Sequence, residues 1–261
     1  SKSTVGDGDG ATVVVDPEGG GVYVLDSSGS LFAIDPVELT VSELPGGFGM
    51  AVGPRLPPAG GRAHFYAIRS RDGAATALQF GAPGDRPVPQ DYDGDGRVDF
   101  AVFRPRESSA QGVWWIARSS DGGVHAQQWG TAVFGDVPVP ADYDGDGRGD
   151  LAVWRPAGDP SGQGGLWYIV RSSDGAILGP QWGAPDDVPV PADYDGDGRA
   201  DVAVWRPDGG TWFVVNSGSG TVSGIPFGGL GDVPVPGDYD GDGRADLAVW
   251  RPATGEWFVL N

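Results

Sequence analysis

Carboxylates dominate the chemistry this chain could do. Aspartate occupies positions 1, 3, 5 and 9 of a short stretch that is written four times: Asp91, Asp93, Asp95 and Asp99; Asp142, Asp144, Asp146 and Asp150; Asp193, Asp195, Asp197 and Asp201; and Asp238, Asp240, Asp242 and Asp246. Glycine fills positions 4 and 6 of every copy. Alternating carboxylates on a tight turn can converge on one hard cation, and the glycines supply backbone conformations that other residues resist. Four carboxylates so close stay ionised together only against a multivalent cation. The pattern predicts about four Ca²⁺ per chain, with the backbone carbonyl at position 7 (Arg97, Arg148, Arg199 and Arg244) as a further ligand. With its ligand shell nearly full, such an ion serves as scaffold rather than as a seat for substrate.

An EF-hand also opens Asp-x-Asp-x-Asp-Gly, but it needs an acid at position 12 and flanking helices. Position 12 here is Val102, Val153, Val204 or Val249, and the flanks read as strands. The second repeated candidate is Trp-Arg-Pro: Trp154-Arg155, Trp205-Arg206 and Trp250-Arg251, with Phe103-Arg104 as a variant. Trp and Arg must face opposite sides of a strand. The aromatics then serve either as sugar-stacking platforms, one per repeat, or as packing, with the Arg pairing a nearby carboxylate. Trp167, Trp212, Trp257 and the Gln-Trp-Gly stretches read as core. The two histidines, His64 and His125, sit in no catalytic pattern, and no catalytic residue is assigned.

These loops must be held by short strands. Val-Pro-Val-Pro runs lead into the last three loops and Arg86-Pro-Val-Pro89 into the first, Leu151–Arg155 and Leu166–Arg171 follow the second, and Asp-Gly turns punctuate them. Prolines in the leading strand require it to be short or partly unpaired. Asp91 to Asp142 and Asp142 to Asp193 are each 51 residues, and Asp193 to Asp238 is 45, the period of a propeller blade. Upstream, Asp7 and Asp9 match positions 3 and 5 of a weaker copy in which Val5 and Val13 stand at positions 1 and 9. Another copy has Val41 and Gly49 at those positions, so neither has a full ligand set. The expectation is an all-β single domain over 1–261, a β-propeller of four-stranded blades. Its units fall at about 1–36, 37–81, 82–130, 131–183, 184–228 and 229–261, six in number, or seven if the chain is a fragment. Loops at 106–113 and 157–166, with Glu107, Ser108, Asp159 and Gln163, break the repeat and are candidate binding loops.

Composition narrows the partners. The 261 residues carry a formal charge of −19, and no basic run is present, which argues against nucleic acid. Cysteine is absent, so disulfides and thiolate chemistry are excluded. No apolar run reaches the roughly 18 residues a bilayer span needs, so no membrane insertion is expected. No signal peptide is visible, and the start at Ser1-Lys2-Ser3 reads as a mature or trimmed terminus.

Phe80-Gly81-Ala82-Pro83 and Trp182-Gly183-Ala184-Pro185, followed by the Asp loops, resemble the FG-GAP/VCBS repeats of integrin α-subunit heads and of bacterial surface and secreted proteins. The resemblance is strong over about 82–261 and faint before it. It implies a propeller with calcium loops between the first and second strands of a blade, an extracellular setting, and roles in adhesion or glycan binding or beside an enzyme. The expected function is a calcium-stabilised, secreted or cell-surface binding module whose partner is a glycan or an extracellular protein. The alternatives are a polysaccharide-acting enzyme or its accessory propeller, and a structural spacer.

Overall fold

The computed structural model describes residues 3–6, 12–15, 22–25, 31–34, 41–43, 64–69, 73–106, 111–157 and 164–261. Its contacts divide the chain into two compact units, Ser1–Pro83 with Arg251–Glu256 and Gly84–Trp250 with Trp257–Asn261. In the first unit β1 (Ser3–Gly6), β2 (Thr12–Val15), β3 (Val22–Leu25), β4 (Leu31–Ile34) and β5 (Val41–Glu43) form one antiparallel meander, and β6 (His64–Ile68) pairs with β7 (Ala75–Gln79). This sheet takes in β5, across the boundary expected between residues 36 and 37. Val5 and Val13 are register partners in β1 and β2. Asp7, Asp9 and Gly49 lie outside the described residues, as do Glu107, Ser108, Asp159 and Gln163.

The second unit has the all-β propeller arrangement, as a series of small antiparallel sheets. Blade I is β8 (Arg86–Pro87), β9 (Phe100–Arg104), β10 (Val113–Ala117) and β11 (Val124–Gln128). After a 3₁₀ turn at Ala132–Phe134, blade II is β12 (Val137–Pro138), β13 (Leu151–Arg155), β14 (Leu166–Val170) and β15 (Ile177–Leu178). Blade III is β16 (Val188–Pro189), β17 (Val202–Arg206), β18 (Thr211–Val215) and β19 (Val222–Pro226). Blade IV has three strands, β20 (Val233–Pro234), β21 (Leu247–Arg251) and β22 (Glu256–Leu260). The leading strand of every blade is two residues long, as its prolines, which lack an N–H for the ladder, require.

Alternation along the second strand of a blade builds the core between blades. In β13, Ala152 and Trp154 face the cluster of Trp167 and Ile169 in their own blade, while Val153 enters the cluster of Phe103, Trp114 and Ile116 in blade I. Val204 and Val249 enter the clusters of blades II and III in the same way. Buried indoles need an acceptor. Trp154 and Trp167 both donate to the Trp182 carbonyl, at 3.2 and 3.0 Å, and Trp205 and Trp212 share that of Phe227. Among the described residues blade IV has no fourth strand to supply such a carbonyl, and the buried Trp250 and Trp257 Nε1 atoms meet no acceptor among them. Trp182 in turn donates to Phe213 O of blade III at 3.1 Å.

Candidate metal centres

Each Asp loop joins the first and second strands of its blade, and its position-1 carboxylate shapes it. Asp142 accepts from Gly145 N through one oxygen (2.7 Å) and from Gly147 N through the other (2.8 Å). The same two bonds recur at Asp91, Asp193 and Asp238. Gly145 and Gly147 have φ of 78° and 83°, a region that side-chain-bearing residues rarely adopt.

The position-9 aspartates are buried and act as clamps. Asp150 is fully buried; one oxygen accepts from Tyr143 N at 2.8 Å and the other from Ser172 N at 2.7 Å. Ser172 starts the turn between third and fourth strands, so one carboxylate ties that turn to the loop. Asp99 and Asp201 repeat both bonds, and Asp246 repeats the one to Tyr239 N. Burial, then the nearby Asp144, raises the Asp150 carboxyl above the usual range, against the lowering effect of its hydrogen bonds; Asp201 is raised likewise. The same turn reaches the outer acids: Ser172 Oγ donates to Asp146, and Ser173 Oγ to Asp144.

Three carboxylates of each loop offer oxygens within 4.8 Å of one another. They are Asp91, Asp93 and Asp99; Asp142, Asp144 and Asp146; Asp193, Asp195 and Asp197; and Asp238, Asp240 and Asp246. The structure thus gathers three of the four expected ligands per loop, leaving out Asp95, Asp150, Asp201 and Asp242. Arg97 pairs with Asp95 and Arg199 with Asp197, which lowers both carboxyls. At position 7, Arg97, Arg148, Arg199 and Arg244 donate their amide N–H to the acid at position 5. A donor set of clustered carboxylate oxygens, without nitrogen or sulfur, fits a hard divalent cation such as Ca²⁺. The residues that would hold it are those of the four triads, and its chemistry would be charge neutralisation and loop closure.

Adjacent loops are also joined to each other. The position-8 amide of one loop donates to the position-1 carbonyl of the loop before it: Gly149 N to Asp91 O (2.5 Å), Ala200 N to Asp142 O (2.6 Å) and Ala245 N to Asp193 O (2.7 Å). The Arg199 side chain lies against Gly145 so closely that a Cβ there would sit 2.7 Å from its Cγ, and Arg148 and Arg244 approach Gly94 and Gly196. Position 4 therefore needs glycine for the neighbouring blade as well as for its own turn.

These loops fall within the stretches that match a family model. Residues 91–153 and 193–249 match the model described as FG-GAP-like repeat, each stretch running from one Asp loop to the second strand of the following blade. The chain carries FG-GAP-like repeats. No curated protein matches it in a sequence search. In these FG-GAP-like repeats the Trp-Arg-Pro stretches are occupied in packing. Trp154 and Trp205 are 2% and 1% exposed, so neither indole offers a face to a sugar, and Trp250 is half-buried next to the end of β21, which Arg251 closes. Arg155 makes a two-pronged pair with the buried Asp136 (2.7 and 3.0 Å) beside the rings of Phe134 and Tyr168. Arg206 pairs in the same way with Asp187, and Arg104 with Asp85. Each pair spans 19 residues, a constant spacing that was open to view in the sequence. His125 is exposed on β11, and His64 lies on β6 in the other unit. No helix among the described residues is long and apolar enough to cross a membrane.

Proposed function

We propose that this protein is an extracellular, calcium-stabilised binding module whose ligand is carbohydrate. The observation that carries the reading is a pair of open grooves between neighbouring blades, one of about 580 Å³ between blades I and II and one of about 310 Å³ between blades III and IV. Both have the size of small-ligand sites. The smaller has an apolar floor of Val214, Ile225 and Leu247 and a rim of Asn216, Ser223 and Arg244. Amide, hydroxyl and guanidinium groups over an apolar floor suit a sugar ring, which presents hydroxyls at its edge and C–H groups on its faces. Repetition of such grooves would add avidity. Calcium acts here by holding the loops that border them, and calcium-rich surroundings favour a secreted or cell-surface place.

A glycan array probed with the calcium-loaded chain, with a chelated control, tests the reading. Selective spots that disappear on chelation are expected. A blank array from folded, calcium-loaded protein would overturn the carbohydrate reading and direct the search to an extracellular protein partner, polysaccharide turnover or a spacer role.

A further inference from the structure

The two grooves occupy equivalent places but differ in charge. Arg118 follows the third strand of blade I, and Arg171 the third strand of blade II; Asn216 and Asn261 stand at these positions in blades III and IV. His125, the register partner of Ile116, corresponds to Ser223, the partner of Val214. The groove between blades I and II therefore gathers Arg118, Arg148, Arg171 and His125, with Asp93 as its one acid. The groove between blades III and IV has Arg244 against Asp242 and Asp246. On a chain of net charge −19, three guanidiniums gather in this one groove, against Asp93 in its lining and the half-exposed Asp121 and Asp174 that pair with two of them.

These cations are incompletely satisfied. Arg118 bonds Asp121 through Nη2, but its Nε is buried without an acceptor. Arg148 lies over Gly94 and forms no ion pair among the described residues. Arg171 bonds Asp174. Both acids are about half exposed, at 53% and 48%, so these pairs are weakly held and open to exchange. Ile116, Leu151 and Val170 form an apolar floor, and Ser120, Gln127 and Ser172 line the same groove.

We infer that the groove between blades I and II binds an oligosaccharide bearing carboxylate or sulfate groups, with Arg118, Arg148 and Arg171 receiving the anions. Guanidinium forks match both groups with two parallel hydrogen bonds. The inference rests on the carbohydrate reading above and deepens it by naming the charge class of the sugar.

Calorimetric titration of the full calcium-loaded chain with trigalacturonate, a sulfated trisaccharide and a neutral galactose trisaccharide tests it. One acidic probe is expected to bind at one site, more weakly as salt rises, and at least ~10-fold tighter than the neutral probe. Arg118→Asn with Arg171→Asn should weaken it ~10-fold or more; the residues introduced are those blades III and IV carry. Asn216→Arg with Asn261→Arg should create a second acidic-sugar site, which keeps the test open if the first variant fails to fold. Trigalacturonate and the sulfated probe separate carboxylate from sulfate as the preferred anion. Unchanged affinity in the Arg118/Arg171 variant, or equal binding of the neutral probe, overturns the inference. If neutral glycans bind on the array but no acidic probe binds, this groove assignment alone falls. If no glycan of any kind binds, the carbohydrate reading falls with it.

Discussion

Chelation of a calcium-loaded sample is expected to lower the melting temperature by at least about 20 °C. A ligand that binds only the folded state at about a hundred times its Kd stabilises by about 2.7 kcal/mol per site. Four independent sites then contribute on the order of 10 kcal/mol, comparable with the whole stability of a typical domain. For a chain of this size, each kcal/mol moves the melting temperature by about 2–4 °C. Without the cation, carboxylate oxygens within 4.8 Å repel by about 3 kcal/mol per pair at an effective dielectric of ~20. Monovalent salt is a poor substitute, because that separation is shorter than the ~8 Å screening length at physiological ionic strength. The check is differential scanning calorimetry with calcium, and with chelator at matched ionic strength. A shift of only a few degrees would remove calcium from the scaffold.

Asp150→Ala should destabilise by about 3 kcal/mol even with calcium saturating. Its carboxylate is fully buried, and each oxygen takes a backbone N–H, from Tyr143 and Ser172. Truncation leaves two donors without their acceptor, at roughly 1–3 kcal/mol each. Relief of the buried charge, the cause of the raised carboxyl pKa, returns part of that cost. Asp174→Ala is the control: its carboxylate is half exposed between Arg171 and the Ala176 N–H, and both partners turn to water when it is removed, so its loss should be much the smaller of the two. Urea unfolding of the two variants at saturating calcium makes the comparison. Equal losses would show that Asp150 does not tie the turn to its loop.

Much of this was legible because the informative residues are covalently periodic. Aspartate spacing located all four loops, the valine at position 12 excluded the EF-hand, and the prolines called for leading strands that are short or partly unpaired, though not for their length of two residues. Packing of Trp154 and Trp205, with Arg155 on a carboxylate, was one of the two sequence readings of Trp-Arg-Pro; the partner Asp136 was not named, although its spacing from Arg155 recurs in three blades. Position 9 was read only as a ligand. Its clamping of Ser172 depends on a turn 22 residues away, which local spacing cannot reveal. The amide bonds between loops leave no side-chain signature at all, since Gly149, Ala200 and Ala245 serve through backbone alone. Pairing of Val41–Glu43 with β4 was missed because the faint N-terminal copy was aligned on loop positions. The charged groove needed the fold, for Arg118, Arg148 and Arg171 converge only when two blades lie side by side.

The most direct test is to strip the chain of metal, reload it with calcium and count the bound ions by native mass spectrometry. The account predicts four per chain, with three after Asp144→Ala removes one triad. Two or fewer in the intact chain, or an unchanged count in the variant, would contradict it.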